Sequence, residues 1–323
     1  MRNGERRSGQ SSGHSTCASA ATQRAPELLL LLVRHLSVDV CRSGFLSPTA
    51  WQTRRRRLAG IIAAVDGPLV ERVAIVTGAS RRKAIGAAIA RRLASAGARV
   101  VVHGWSPHDA EQLWGEDPGG AEALVDELAA AGTEAVHLSA DFAQIGAPAE
   151  LIAAAREAFG HVDILVANHA RSSTQTLEQL TAAELDLSFA VNARAALLLV
   201  QAFAGQHDGR PGGRVVLFTS GQYHGAMPDE LPYIASKGAL HQVTRSLAVH
   251  LARRAITVNC VDPGPNDTGY ATAEELARTA SLVPGGRWGQ PDDAARIVAW
   301  LVSDDAAWLT GQVIASDGGW SAR

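Results

Sequence analysis

The chain has 323 residues, of which 46% are hydrophobic and 19% charged, with 30 Lys and Arg against 32 Asp and Glu. This composition suits a globular protein with a large apolar core, and a net charge of −2 gives no sign of a nucleic-acid or membrane partner. The three cysteines, Cys17, Cys41 and Cys260, have neither metal-ligand spacing nor a disulfide framework. We therefore expect no metal site and a reducing, cytoplasmic compartment.

The N-terminal region differs in composition from the rest. Residues 1–26 are rich in Ser, Gly, Arg and Ala without an apolar period, which is typical of disorder. The apolar run at 28–33 is far shorter than the ~20 residues of a spanning helix, and its charged flanks disfavour a secretory signal. The arginine cluster at 54–57 is either a targeting or nucleic-acid patch or part of a solvated extension, and we favour the extension. The expected organisation is a disordered extension over 1–70 and a single folded domain over 71–323.

From Glu71 onward, apolar runs alternate with helical segments. The runs that predict strands are 72–78, 99–104, 135–141, 162–170, 213–220, 256–264 and 310–319. The segments between them that predict helices are 84–98, 119–133, 147–161, 181–206, 233–254 and 291–303. Continuous apolar strands alternating with helices predict a parallel sheet covered on both faces. Because parallel crossovers are right-handed, the expected architecture is α/β, a doubly wound Rossmann fold with helices on both faces.

The first strand-to-helix turn, TGASRRKAIG at 77–86, is the predicted site for a dinucleotide pyrophosphate. Gly78 and Gly86 allow close approach of the backbone, and Ser80 offers a hydroxyl donor to phosphate. The position between a strand and a helix strengthens this interpretation over an ordinary tight turn.

Basic residues in the same turn indicate which dinucleotide binds. An NAD site usually carries an acid near the end of the second strand, whereas that strand here ends in His103, Gly104, Trp105 and Ser106. Either Arg81 or Arg82 could pair with a 2′-phosphate, which a carboxylate would repel. The sequence therefore predicts NADP(H) rather than NAD(H).

The segment YIASK at 233–237 carries the strongest catalytic signal. Tyr233 and Lys237 lie four residues apart on one helix face, and a nearby ammonium is expected to lower the pKa of a phenol from about 10. Ser220 closes a predicted strand at the carboxyl edge of the sheet, where ligands bind. Asn192 falls inside a predicted helix, a poor place for Asn unless its side chain has a role.

These motifs together resemble the short-chain dehydrogenase/reductase family over about residues 71–321. The resemblance rests on the cofactor turn, LVANHA (165–170), Val191–Asn192, Ser220, YIASK, VDPG (261–264) and the ending LTGQVIASDGGW. It implies a tetrad in which Tyr233 is the general acid/base, Lys237 lowers its pKa and binds the nicotinamide ribose, Ser220 orients the carbonyl, and Asn192 helps to hold a proton-relay water. It also implies cofactor contacts from Gly78, Ser80, Arg81, Arg82, Ile85, Gly86, Asp141, Phe142, Asn168, Tyr233, Lys237, Pro263, Gly264 and Thr268. Family members commonly form tetramers through two long helices, here about 181–206 and 233–253, so a homotetramer or dimer is expected.

Some positions depart from the family's pattern. The cofactor turn is two residues longer than usual, a length that is similar to enoyl-carrier-protein reductases, but those relatives space the catalytic Tyr and Lys more widely. Chemistry at a carbonyl is therefore favoured over a carbon–carbon double bond. His169 replaces a usual family residue, and we interpret it as a hydrogen-bonded packing residue rather than a catalyst. Residues 264–293, with Gly and Pro at both ends, suit a mobile lid over the substrate.

The leading functional hypothesis is NADPH-dependent reduction of a ketone, a 3-oxoacyl thioester or a similar small-molecule carbonyl, to a secondary alcohol. The ending of the chain resembles the 3-oxoacyl-carrier-protein reductases in particular. One alternative is an alcohol or polyol dehydrogenase working in the oxidative direction. The other is a non-catalytic NADP-sensing Rossmann protein, which the presence of Ser220, Tyr233 and Lys237 together disfavours.

Overall fold

The computed structural model describes residues 67–322. The expected N-terminal extension therefore lies outside the described residues, except for positions 67–70. Leu69 is 2% exposed and its N–H donates to the carbonyl oxygen of Ala96 at 2.9 Å, so packing of the domain begins before Glu71.

Seven strands form one sheet in which every pair is parallel. The strand order is β3-β2-β1-β4-β5-β6-β7. Their bounds are β1 Val73–Val76, β2 Arg99–Gly104, β3 Ala135–Ser139, β4 Ile164–Ala167, β5 Gly213–Phe218, β6 Ile256–Asp262 and β7 Val313–Ala315. The order reverses between β1 and β4, and such a switch point opens a crevice at the carboxyl ends of the strands. The α/β doubly wound fold predicted from the sequence is confirmed.

Nine α-helices connect these strands within the described residues. They are α1 Ile85–Ser95, α2 Ser106–Ala110, α3 Gly120–Ala130, α4 Ala147–Phe159, α5 Ala182–Ser188, α6 Ala195–Gln206, α7 Leu231–Leu251, α8 Ala273–Leu282 and α9 Pro291–Val302. A π-helical turn, Phe189–Arg194, joins α5 to α6 and makes them one continuous helix. The predicted helix over 181–206 is thus present, with one loosened turn in its middle.

Side chains that alternate along each strand build two cores. In β1, Val73 and Ile75 belong to one core and Ala74 and Val76 to the other. The first core is covered by α4, α6 and α7, and the second by α1, α3 and α9. Both faces of the sheet are therefore dry, which is why the strands read as continuous apolar runs.

One helical stretch of the described residues, Ala182–Gln206, is long and apolar enough to cross a membrane, with a mean hydropathy of 1.5. Of its most apolar window, 56% is buried inside the protein. Leu199 and Phe203, for example, are fully buried in the first core. Length and composition alone produce this match, and the stretch is a core helix of the domain.

Candidate active site

Two glycines shape the turn between β1 and α1. Gly78 has a φ of +70°, and a Cβ there would lie 2.6 Å from the Cα of His169. A Cβ on Gly86 would lie 2.2 Å from the carbonyl oxygen of Gly78. Helix α1 begins at Ile85 with no capping side chain from the described residues and no acid in its first turn. Its N-terminal N–H groups therefore fit an anion, and the turn fits the pyrophosphate of a dinucleotide.

Asn168, which follows β4, holds this turn in place. Its Nδ2 donates to the carbonyl oxygens of Thr77 and Gly78, each at 3.0 Å, and its backbone N–H donates to Oγ1 of Thr77 at 3.1 Å. Both amide hydrogens of Asn168 are thus used inside the protein. Asn168 therefore holds the turn from β4, and its contact with a cofactor stays a prediction.

Two buried histidines contact the turn between β1 and α1. The ring of His103 stacks on Phe142 with 4.3 Å between centroids, and its Nδ1 accepts a hydrogen bond from the N–H of Gly78 at 3.2 Å. Burial lowers the pKa of His103 to about 4. His169 contacts Oγ1 of Thr77 at 2.7 Å and the carbonyl oxygen of Val191 at 3.0 Å, and burial holds its pKa well below the ordinary value. His169 is therefore a packing residue, as the sequence analysis concluded.

Two carboxylates reach the turn from a segment to which the sequence analysis assigned no chemistry. This segment, residues 105–119, links β2 to α3 and is called the strap below. Asp109 accepts a hydrogen bond from Oγ of Ser80 at 2.5 Å, and Asp117 accepts from Arg82. The absence of an acid at the end of β2 therefore does not leave the turn free of carboxylates. Spacing along the chain could not reveal this, because the strap folds back onto the turn.

The two arginines of the turn have different partners. Nε and Nη2 of Arg82 donate to the two carboxylate oxygens of Asp117 at 2.9 and 2.6 Å, which lowers the pKa of Asp117 to about 2. Nη2 of Arg81 donates to the carbonyl oxygen of Thr268 at 2.7 Å, and its guanidinium lies 5.3 Å from the ring centroid of Trp114. Arg81 is thus held by the segment predicted as a lid and Arg82 by the strap, and their contact with a 2′-phosphate stays a prediction.

Ser220 and Tyr233 meet at the carboxyl edge of the sheet. Ser220 follows β5, Tyr233 lies in the first turn of α7, and their hydroxyls are hydrogen-bonded to each other. Burial raises the pKa of Tyr233 to about 12, with the carboxylate of Glu230 adding to the rise, while the Ser220 contact opposes it. The pKa of Tyr233 is set mainly by burial, because the loss of solvent outweighs the favourable contact with Ser220. The lowering of this pKa by Lys237 stays a prediction.

Lys237 lies one helical turn beyond Tyr233 and is 2% exposed. Its Nζ donates to the carbonyl oxygen of Phe218 at 3.1 Å and to that of His169 at 3.4 Å. Burial lowers the pKa of Lys237 to about 8. The ammonium is thus anchored to the ends of β4 and β5, one helical turn from Tyr233.

Asn192 lies in the π-helical turn and is fully buried. Its Oδ1 accepts from the N–H of Arg171 at 2.6 Å, and its Nδ2 donates to the carbonyl oxygen of Arg171 at 3.0 Å and to Oγ of Ser236 at 2.9 Å. Ser236 is the neighbour of Lys237 on α7. The side chain of Asn192 therefore ties the loop after β4 to α7. Its predicted part in holding a proton-relay water stays a prediction.

The remaining predicted cofactor residues lie along the same edge. Oδ1 of Asp141, after β3, accepts from the N–H of Ala143 at 2.9 Å, which orders the loop that carries Phe142. Gly264, after β6, has a φ of +61°, and its N–H donates to Oδ1 of Asp262 at 3.0 Å. Pro263 sits between these two residues, so the chain turns sharply there.

Three acidic or aromatic residues near Tyr233 were missed by the sequence analysis. Asp262 is 1% exposed, is hydrogen-bonded to the hydroxyl of Tyr223, and has a pKa raised by burial. Glu230, just before α7, also has a pKa raised by burial. The negative charges of Glu230 and Asp262 raise the pKa of Tyr233. The sequence offered one signal for each acid: Glu230 comes just before Tyr233, and Asp262 lies near the end of a predicted strand, at the edge where ligands bind.

The segment predicted as a lid carries an aromatic row. Tyr270 lies 5.9 Å from Trp288 and 6.3 Å from Trp114 of the strap, measured between ring centroids. Helix α8 follows, capped by Thr272 and Glu275, which bond reciprocally to each other's backbone. The row joins the lid and the strap into one aromatic wall beside the site.

Residues 67–322 hold no group of three or more His, Cys, Asp or Glu side chains arranged to bind a metal ion.

Residues 78–321 match the family described as Enoyl-(Acyl carrier protein) reductase. The uncharacterized oxidoreductase YjdA of Bacillus subtilis (strain 168) is 38% identical over 235 residues, which is 72% of this chain and 90% of that protein. The hydroxynaphthalene reductase-like protein Arp2 of Metarhizium majus is 36% identical over 253 residues, 72% of this chain and 88% of that protein.

Solved structures share the fold at similar identity. The angucycline C-6 ketoreductase LanV, determined with bound NADP, aligns with a TM-score of 0.70 and 34% identity. The alignment covers 80% of this chain and 98% of LanV. The likeness therefore extends over nearly the whole of that enzyme.

Proposed function

The chain belongs to the short-chain dehydrogenase/reductase family and is an oxidoreductase acting on the CH–OH/C=O pair, and we propose that it reduces a ketone to a secondary alcohol with NADPH. The observation that carries the proposal is the hydrogen-bonded pair of Ser220 and Tyr233 with Lys237 one helical turn away. These three side chains lie at the carboxyl edge of β5, beside a turn that fits a dinucleotide.

The protonation state of Tyr233 favours reduction. When bound, NADPH supplies the hydride that reduces the carbonyl carbon. With a pKa of about 12, Tyr233 holds its proton at neutral pH and can donate it to the carbonyl oxygen. Ser220 holds that oxygen by its hydroxyl, and Lys237 holds positive charge beside the phenolate that remains.

Arg81 and Arg82 support the choice of NADPH over NADH. Both guanidiniums belong to the turn proposed to hold the dinucleotide, and a guanidinium fork matches a phosphate dianion. LanV, the aligned ketoreductase, binds NADP. Ser80, Asp141 and Thr268 remain proposed contacts of the same cofactor.

Two substrate classes fit the site. The ending of the chain favours a 3-oxoacyl thioester, whereas the aromatic wall of Trp114, Tyr270 and Trp288 favours a planar cyclic ketone. Names of the relatives, a hydroxynaphthalene reductase-like protein and an angucycline ketoreductase, agree with the second class. The family that matches residues 78–321 is described as an enoyl reductase family. The four-residue spacing of Tyr233 and Lys237 nevertheless supports carbonyl chemistry in this chain.

We also propose a homotetramer or dimer in the cytoplasm. The helices expected at the interface expose apolar side chains: Phe189 in the π-helical turn is 40% exposed and Val249 on α7 is 75% exposed. Light scattering of the purified chain would test the assembly directly.

The test of function is turnover by the purified full chain with NADPH and NADH side by side. Substrates are a short 3-oxoacyl thioester and a bicyclic aromatic ketone such as a tetralone. We expect NADPH-dependent turnover of at least one of them, lost by about 100-fold or more in Tyr233→Phe while NADPH binding stays within twofold. Tyr223→Phe, which removes a phenol bonded to Asp262, is the matched control. Equal turnover in Tyr233→Phe and wild type would overturn the assignment.

A further inference from the structure

The strap is tied to the cofactor turn by polar contacts at both of its ends. Near its start, Oδ2 of Asp109 accepts from Oγ of Ser80, and Oδ1 accepts from Nε1 of Trp114 at 3.1 Å. Near its end, Asp117 binds Arg82. The ring of Trp114 in the middle lies under the guanidinium of Arg81. The strap thus covers the residues of the turn that are proposed to hold the nucleotide.

Asp117 accepts three of the four hydrogen bonds that Arg82 donates to the strap, and the fourth runs from Nη2 to the carbonyl oxygen of Pro118 at 3.3 Å. Oδ2 of Asp117 accepts from the backbone N–H of Arg82 at 2.8 Å and from Nε at 2.9 Å, and its Oδ1 accepts from Nη2 at 2.6 Å. This side-on, two-oxygen arrangement is the one in which a guanidinium also binds phosphate. The side chain of Asp117 is 17% exposed, so it is set into the protein beside its partner.

We propose that Asp117 is an internal competitor for the 2′-phosphate of NADPH, and that it thereby sets the cofactor preference of the enzyme. This inference rests on the proposed use of NADPH. A 2′-phosphate that binds the Nε–Nη2 edge of Arg82 must displace the Asp117 carboxylate, since both anions need the same donors. NADH carries a 2′-hydroxyl in place of the phosphate, so it can bind without displacing Asp117.

With such competition, the apparent affinity for a 2′-phosphate is the intrinsic affinity multiplied by the fraction of molecules in which Arg82 is free of Asp117. Because an ion pair with one exposed partner is weak, we expect this competition to change the apparent affinity by a factor of only about five. Removing the carboxylate also removes its repulsion toward the phosphate dianion. We therefore expect the effect to fall on ligands with a 2′-phosphate and to leave the others unchanged.

The experiment compares Asp117→Asn with wild type in the full chain. The probes are 2′,5′-ADP, which carries the 2′-phosphate, and ADP, which lacks it, titrated calorimetrically at low salt, followed by NADPH and NADH. Asp117→Asn is expected to bind 2′,5′-ADP and NADPH about fivefold more tightly. Binding of ADP and NADH is expected to change less than twofold.

A matched control is Asp126→Asn, because Asp126 is an exposed carboxylate on α3 that forms no ion pair with any described residue. It should leave all four affinities unchanged. If Asp117→Asn melts differently from wild type, Asp117→Ser supplies a second variant without the carboxylate. Weaker binding of 2′,5′-ADP in both variants would show that Asp117 positions Arg82 instead, and equal tightening of ADP would show a general charge effect. Either result overturns the inference.

Failure of the proposed NADPH preference gives a different pattern. In that case wild type binds 2′,5′-ADP no better than ADP, and neither Arg81→Ala nor Arg82→Ala changes the ratio. If wild type prefers 2′,5′-ADP but Asp117→Asn does not tighten it, NADPH use stands and the role of Asp117 is wrong.

Discussion

Lys237 is expected to carry a cost in stability that its role in catalysis requires. Burial lowers its pKa from 10.5 to about 8, and each tenfold change in an equilibrium constant is worth about 1.4 kcal/mol. Holding the charged form inside the protein at pH 7 therefore costs about 3 kcal/mol. Lys237→Met keeps much of the side-chain volume and removes the charge. It also leaves the carbonyl oxygens of Phe218 and His169 without this donor, at about 1 kcal/mol each.

The net expectation is that Lys237→Met raises the free energy of unfolding by about 1 kcal/mol at pH 7. The sign of the pH dependence follows from linkage. Between the folded pKa of about 8 and the unfolded value of 10.5, the unfolded chain binds the proton more fully than the folded one. Wild type therefore gains stability from this group as the pH rises through that window. By pH 9 the advantage of the variant should shrink by about 1 kcal/mol.

The assay is urea denaturation of the nucleotide-free protein at pH 7, 8 and 9, followed by circular dichroism. Lys83→Met is the control, because Lys83 is exposed and is the only other lysine in the sequence. Comparing variant with wild type at each pH cancels the titration of groups that do not interact with Lys237. A variant that is less stable than wild type at pH 7, with a difference that does not vary with pH, would refute this account of the buried ammonium.

Two further predictions concern pH and the cofactor turn. Since the pKa of Tyr233 is about 12, kcat/KM for alcohol oxidation should rise from pH 7 to 10 as more of the phenol ionises. For ketone reduction, kcat/KM should fall above about pH 8, because Lys237 loses its proton there. Parallel pH profiles in the two directions would contradict this prediction. Gly86→Ala places a Cβ 2.2 Å from the carbonyl oxygen of Gly78 and should lower the free energy of unfolding by about 1–3 kcal/mol and weaken ADP binding. Gly205→Ala in α6, where a Cβ meets open space, is the control and should stabilise by up to about 1 kcal/mol; equal melting shifts for the two variants would contradict the steric argument.

Much of the site was predictable because its parts carry strong local signals. A continuous apolar strand specifies burial on both faces, and seven such strands alternating with helices specify a parallel sheet. In a parallel sheet the carboxyl ends of all strands share one edge, so Ser220 after β5 and the turn after β1 had to lie on the same side. The four-residue spacing of Tyr233 and Lys237 placed them on one face of α7 for the same geometric reason.

What only the tertiary structure decided are the contacts made between distant segments and the effects of burial. The sequence alone showed two arginines in the cofactor turn and no acid after the second strand, yet the strap returns to set Asp109 against Ser80 and Asp117 against Arg82. Likewise, the sequence placed an ammonium near Tyr233, but the pKa of each group depends on how much water the fold removes from it. Strand and helix patterns are local and periodic, so one chain reveals them. The path of an irregular loop and the solvent left around a charge depend on the whole packed domain.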